Sequence, residues 1–143
     1  MRYEGNVFRP PSEGRSYILQ CTVGCSHNRC TFCSMYKDKK YYIRSLEDVK
    51  ADIKMARDYY GDLNKVFLAD GDALAMNTSE LVEILNDLYQ SFPSLKHVGI
   101  YASPDTILAK ELSELTALKA AGLTIAYLGV ETGDPIPFML HCR

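Results

Sequence analysis

The chain has 143 residues, 47% hydrophobic and 24% charged, with a formal net charge of -2. That composition suits one ordinary domain with a real core and excludes wholesale disorder. It also argues against a dedicated nucleic-acid binder, no apolar run approaches the roughly 20 residues of a membrane span, and the N-terminus lacks a signal-peptide core, so the expected compartment is the cytoplasm.

Residues 1–15 read as an irregular segment carrying Pro10, Pro11 and Gly14. Ser16–Gln20 reads as a short buried strand, and a cysteine-bearing loop occupies about 21–36. A helix follows. Ser45 is a suitable N-cap, with Asp48 in place of the usual capping-box Glu, and Leu46, Val49, Ile53, Ala56 and Tyr60 make an apolar stripe that Gly61 ends. Lys65–Ala69 is a second strand running into Asp70-Gly71-Asp72. A second helix begins near Asn77, Thr78 or Ser79, buries Leu81, Ile84, Leu85 and Leu88, and stops before Pro93.

His97–Tyr101 is a third strand, ending at Ala102-Ser103-Pro104. A helical region runs to about Ala121 with a break near Lys110, and its buried face is drawn by Leu112, Leu115, Leu118 and Ala121. Thr124–Gly129 is a fourth strand, leading into Glu131-Thr132-Gly133. Pro135 and Pro137 oppose a further helix, so 135–143 reads as an irregular tail. Strands alternating with helices signal a parallel α/β architecture. In such sheets the loops after the strand C-termini carry the chemistry, and every unusual segment falls in one of those loops.

The chemistry centres on Cys25, Cys30 and Cys33, three of five cysteines in the chain. In a reducing compartment such a cluster points to a metal rather than to disulfides. Structural zinc normally wants a fourth ligand, and His27, His97, His141, Cys21 and Cys142 form no clean second pair. Three cysteines on an iron–sulfur cluster leave one iron open, whereas a fourth thiolate from Cys21 would close the site for electron transfer. Both metal readings stay open on spacing alone. Lys37–Arg44 is basic and aromatic, and reads as a solvated loop entering the first helix; contact with an anionic partner is the alternative.

The stretch Tyr17-Ile-Leu-Gln-Cys-Thr-Val-Gly-Cys-Ser-His-Asn-Arg-Cys-Thr-Phe-Cys-Ser-Met-Tyr36 resembles the cluster-binding start of radical S-adenosylmethionine enzymes. Phe32, just before the last cysteine, is typical of that family. The family's common first gap is three residues, and here it is four. Pairing Cys21 with Cys25 restores the first gap but breaks the second, so Cys21 reads as a small apolar strand-end residue.

The resemblance implies a [4Fe-4S] cluster on Cys25, Cys30 and Cys33, with Phe32 beside it. It also implies S-adenosylmethionine contacts from Asp70, Gly71 and Asp72, through backbone carbonyls, and from Glu131. Reductive cleavage of S-adenosylmethionine to a 5′-deoxyadenosyl radical, an unknown substrate, and a donor such as flavodoxin or ferredoxin follow by the same resemblance. No side chain is assigned as acid, base or nucleophile. The implied fold is a truncated partial TIM-type barrel, about four strands and three helices of a (β/α)6 core spanning 16–134, expected to hold a cluster better than it turns over. The alternative is a non-catalytic zinc or four-cysteine iron–sulfur module.

Overall fold

The computed structural model describes residues 2–129, so Glu131, Cys142 and the 135–143 tail lie outside the described residues. The elements in chain order are β1 (Tyr17–Gln20), β2 (Thr22–Val23), β3 (Tyr42–Ile43), α1 (Leu46–Tyr60), β4 (Lys65–Ala69), α2 (Thr78–Ser91), β5 (His97–Ala102), α3 (Pro104–Ala109), α4 (Leu112–Ala120) and β6 (Ile125–Leu128). Short 3-10 turns lie at Pro11–Glu13 and Ala73–Ala75.

β1, β4, β5 and β6 form one parallel sheet in that order, with Ile18 beside Phe67, Phe67 beside Gly99, and Gly99 beside Ile125. The order never reverses, so the sheet has no topological switch point of the doubly wound kind. Alternation along the strands separates two faces. Tyr17 and Leu19, Val66 and Leu68, and Val98 and Ile100 pack into one core with Val49, Ile53 and Ala56 of α1, Leu81, Ile84, Leu85 and Leu88 of α2, and Leu118 of α4. Ile18, Phe67 and Ala69 face the other way, against Val7, Tyr101 and Tyr127. Helices on one face of a sequentially ordered parallel sheet make an arc of a (β/α) barrel, the architecture anticipated from the alternating pattern.

Local signals explain most elements. The Ser45 hydroxyl accepts the Asp48 N–H at 3.2 Å and donates to the Asp48 carboxylate at 2.8 Å, capping α1. Gly61 ends that helix at φ 74°. The break near Lys110 is real, because Lys110 is extended and its ammonium donates to the Met76 carbonyl at 2.9 Å. Each fully buried leucine or isoleucine of α2 contributes about 1.5–3 kcal/mol of apolar transfer.

Two expectations need correction. Tyr60 and Leu112 lie at the surface, 43% and 80% exposed, because α1 and α4 turn those ends of their stripes past the edge of the core. Lys37–Arg44 is not a solvated loop. Tyr42–Ile43 pairs antiparallel with Thr22–Val23, and Arg44 is buried, its guanidinium on Asp52 at 2.7 Å and on the Gln20 carbonyl at 2.6 Å. The described residues of the N-terminal segment, without helix or strand apart from a single 3-10 turn, lie along β1: the Tyr3 hydroxyl donates to the Ile18 carbonyl at 2.7 Å, and Glu4 N–H donates to the Gln20 side chain at 2.8 Å.

Candidate functional site

The cysteine loop leaves the C-terminal end of β1. Its two ends are clasped by the β2–β3 ribbon, and Gly24, at φ 75°, makes the turn into Cys25. A residue with a Cβ seldom adopts that conformation, which explains the tight Val23-Gly24 step. Cys25, Cys30 and Cys33 are partly exposed, Phe32 is 48% exposed, and Cys21, Cys25, Cys30 and Cys33 are thiols rather than disulfides. Cys21 is fully buried in the core, and burial pushes its thiol up to about 12. It is a poor source of thiolate, which favours its reading as a strand-end core residue.

Asp70, Gly71 and Asp72 follow β4 and touch the cysteine loop directly. Gly71 N–H donates to the Gly24 carbonyl at 3.0 Å. A Cβ on Gly71 would stand 2.7 Å from the Tyr36 ring and 2.8 Å from the Cys25 Cβ, so only glycine permits this approach. Both aspartates are fully buried. Asp70 Oδ2 accepts from the Gly24 N–H at 3.1 Å, from the Gln20 amide at 3.1 Å and from the Lys39 ammonium at 2.7 Å. Asp72 accepts from the hydroxyls of Ser26, Ser103 and Thr106 and from the Ser103 N–H. The loops after β1, β4 and β5 are thus joined through two carboxylates. Asp72 and the Oδ2 of Asp70 are thereby committed to the scaffold.

Four buried side-chain atoms lack a hydrogen-bond partner among the described residues: His27 Nε2, Tyr36 Oη, Tyr41 Oη and Asp70 Oδ1. Three belong to the cysteine loop and its return, and the fourth belongs to the carboxylate that anchors it. Buried polar groups normally find partners, so four such atoms in and beside the cysteine loop set this region apart. Burial, then the Asp70 charge, pushes the Tyr36 phenol well above its ordinary range. Burial, then the Asp72 and Cys25 charges, pushes Tyr41 up to about 12. Both therefore stay neutral donors at physiological pH.

No three His, Cys, Asp or Glu side chains among the described residues stand close enough to share a single ion. A cubane cluster takes each thiolate on a separate iron, whereas zinc gathers its ligands on one centre. Three partly exposed thiols in one pinned loop are the residues that would hold a metal or a cluster here.

Sequence reasoning brought out Cys25, Cys30, Cys33, Phe32, Asp70, Gly71 and Asp72. The structure joins Cys25 to the Asp70–Asp72 turn and leaves Phe32 at the loop surface. It adds Gln20, Ser26, Tyr36, Lys39 and Tyr41, which no spacing rule marks. Ser103 and Thr106 had a visible signal, the Ser-x-x-Thr phrase that forms a capping box at α3.

The comparisons with known proteins follow this geometry. The family model described as the Radical SAM superfamily matches residues 19–142. Among solved structures, the chain is similar to the FeFe-hydrogenase maturase HydG from Carboxydothermus hydrogenoformans, with 16% identity and a TM-score of 0.46. That match covers 80% of this chain and only 27% of the maturase chain. A search of curated proteins finds no match. The family match runs from the second half of β1 through the cysteine loop, the aspartate turn and the other three strands of the parallel sheet, and the chain belongs to the radical SAM superfamily.

Proposed function

We propose that this chain binds a [4Fe-4S] cluster through Cys25, Cys30 and Cys33 and uses it with S-adenosylmethionine in radical chemistry. The supporting observation is the placement of three accessible thiols in a loop clasped at the C-terminal edge of the parallel sheet, within a family match that covers it. When bound, the cluster supplies the electron that splits the sulfonium C–S bond, so that a 5′-deoxyadenosyl radical can take hydrogen from substrate.

The chain's own residues bind and orient. Gly71 lets the turn after β4 lie against Cys25, so its backbone can meet the methionine end of S-adenosylmethionine beside the open iron. Asp70 and Asp72 hold that turn and the cysteine loop in one arrangement. Phe32, exposed next to Cys33 in the chain, would shield a bound cluster from water. Tyr36 and Tyr41 offer neutral hydroxyl groups inside the loop. Glu131 is proposed for the ribose or carboxylate of the same cofactor. A small reducing protein such as flavodoxin or ferredoxin would supply the electron, and the reducing cytoplasm is the compartment that suits oxygen-labile iron. No helix among the described residues is long and apolar enough to cross a membrane. No substrate is assigned to this arc of sheet, and the chain is expected to hold a cluster better than it turns over.

Anaerobic reconstitution tests the reading. The expected product is brown protein with about four irons and matching sulfide per chain. Alanine at Cys25, Cys30 or Cys33 should abolish it, and Cys21→Ala should leave it intact. Colourless protein carrying one zinc, or loss of iron in Cys21→Ala with a normal melting curve, would favour the closed-module alternative. Release of 5′-deoxyadenosine with dithionite then reports cleavage of S-adenosylmethionine.

A further inference from the structure

Both flanks of the cysteine segment end on one oxygen. Gly24, immediately before Cys25, donates its N–H to Asp70 Oδ2 at 3.1 Å. Lys39, six residues after Cys33, donates its ammonium to the same oxygen at 2.7 Å. This pair is withdrawn from solvent, with side chains 5% and 0% exposed. The ammonium also donates to the Asn6 carbonyl and lies 5.6 Å from the centre of the Tyr36 ring. Within the stretch, the Ser26 hydroxyl donates to Asp72 and the Tyr36 ring meets Phe8 edge-on, contacts that leave Lys39 as the tie of its far end to the β4 turn. The Asn28 amide donates to the Tyr36 carbonyl at 2.8 Å, and the exposed Lys37 ammonium donates to the Asn28 carbonyl at 2.9 Å.

We propose that Lys39 and Asp70 form a latch that sets the cysteine loop for cluster capture, with Lys39 as its positioning residue; the cluster part rests on the function proposed above. Closing a loop has an entropic cost, which the latch meets before any iron arrives. An exposed pair would be too weak for this, since surface salt bridges contribute little. A buried pair is different, because removing one partner strands the other charge in the interior.

The latch makes a claim about the chain without metal. Arg29 lies exposed inside the loop, so trypsin cleavage after it reports opening. In the full apo chain, Lys39→Met should be cut there at least about tenfold faster than wild type, the open form being the one attacked. A Lys39→Met/Asp70→Asn double variant removes the stranded charge and should recover the melting temperature of wild type while remaining quickly cut. Lys50→Met, which breaks only the surface pairs with Glu83 and Asp87, should behave as wild type. After anaerobic reconstitution with iron and sulfide, both Lys39 variants should hold less than half the wild-type iron, and Lys50→Met a full load.

Slow, wild-type cleavage in the double variant would overturn the latch, since Lys39 would then be only a counter-charge. If Lys39→Met lost its cooperative melt, the double variant alone would decide. Fast cleavage in the Lys39 variants, from a wild-type chain that takes up no iron, would support the latch and sink the cluster reading.

Discussion

Asp72 is the carboxylate on which three loops meet, and its truncation is the sharpest test of how the site is held. Its Oδ1 accepts from the Ser103 N–H at 3.2 Å and the Thr106 hydroxyl at 2.9 Å, and its Oδ2 accepts from the hydroxyls of Ser103, at 3.0 Å, and Ser26. Hydrogen bonds to a charged acceptor contribute about 1.5–3 kcal/mol each, but four such bonds do not simply add. Ser26 is exposed and returns to water. Ser103 N–H keeps Thr106 Oγ1 at 3.0 Å, and Thr106 N–H keeps Ser103 Oγ at 3.2 Å, so the cap of α3 survives. Asp72→Ala should therefore lose the equivalent of one or two charge-assisted bonds, about 2–4 kcal/mol. Asp72→Asn, which keeps the volume and part of the acceptor set, should lose about 1 kcal/mol. Urea unfolding followed by far-UV circular dichroism measures both. A loss for Asp72→Ala below about 0.5 kcal/mol, the range of ordinary surface substitutions, would refute the hub. A Ser103→Ala/Asp72→Ala cycle should show coupling of at least about 0.5 kcal/mol, since the two groups are in direct contact.

Other expectations follow from the same structure. Gly71→Ala should destabilise the chain by about 1–3 kcal/mol, because its methyl meets the Tyr36 ring and Cys25, and reconstituted iron should fall with it. Leu118→Ala should cost about 2–5 kcal/mol and Leu112→Ala almost nothing, since the first is fully buried and the second 80% exposed, a contrast that chemical denaturation reads directly. Glu13 is buried, which pushes its carboxyl up, but hydrogen bonds from Ser16, Tyr127 and His97, and the His97 charge, outweigh burial and hold it below its ordinary 4.5. A lowered folded-state pKa stabilises above the unfolded value, so this contribution should persist above about pH 4.5 and fade as pH drops through the folded value. Glu13→Gln should flatten that part of the stability–pH curve, and an unchanged acid slope would count against the Glu13 network.

Much of the fold was legible because local rules and burial agree. Ser45 and Gly61 bound α1 by capping chemistry that needs no distant partner, and Leu81, Ile84, Leu85 and Leu88 recur at a period that only a half-buried helix explains. The stripe rule failed at Tyr60 and Leu112, because periodicity tells which side of a helix is apolar but not how far the neighbouring core extends along it. Cys25, Cys30 and Cys33 stood out as candidate ligands in the chain itself, since cysteine spacing carries coordination chemistry.

The residues that hold those thiols were not legible. Lys39 and Arg44 sit in a basic run that reads as solvated, yet both side chains are buried on carboxylates from β4's turn and from α1. Asp70, Gly71 and Asp72 read as a turn offering backbone carbonyls to a ligand, and nothing in that reading told that folding commits the two carboxylates to Gly24, Lys39, Ser26 and Ser103. Sequence by itself determined the alternation of strand and helix, the helix caps and the thiol cluster, all properties of residues close together in the chain. Only the tertiary structure decided which charges are buried and what they anchor, because a charge loses its water, and so requires a partner, only where segments distant in sequence close around it.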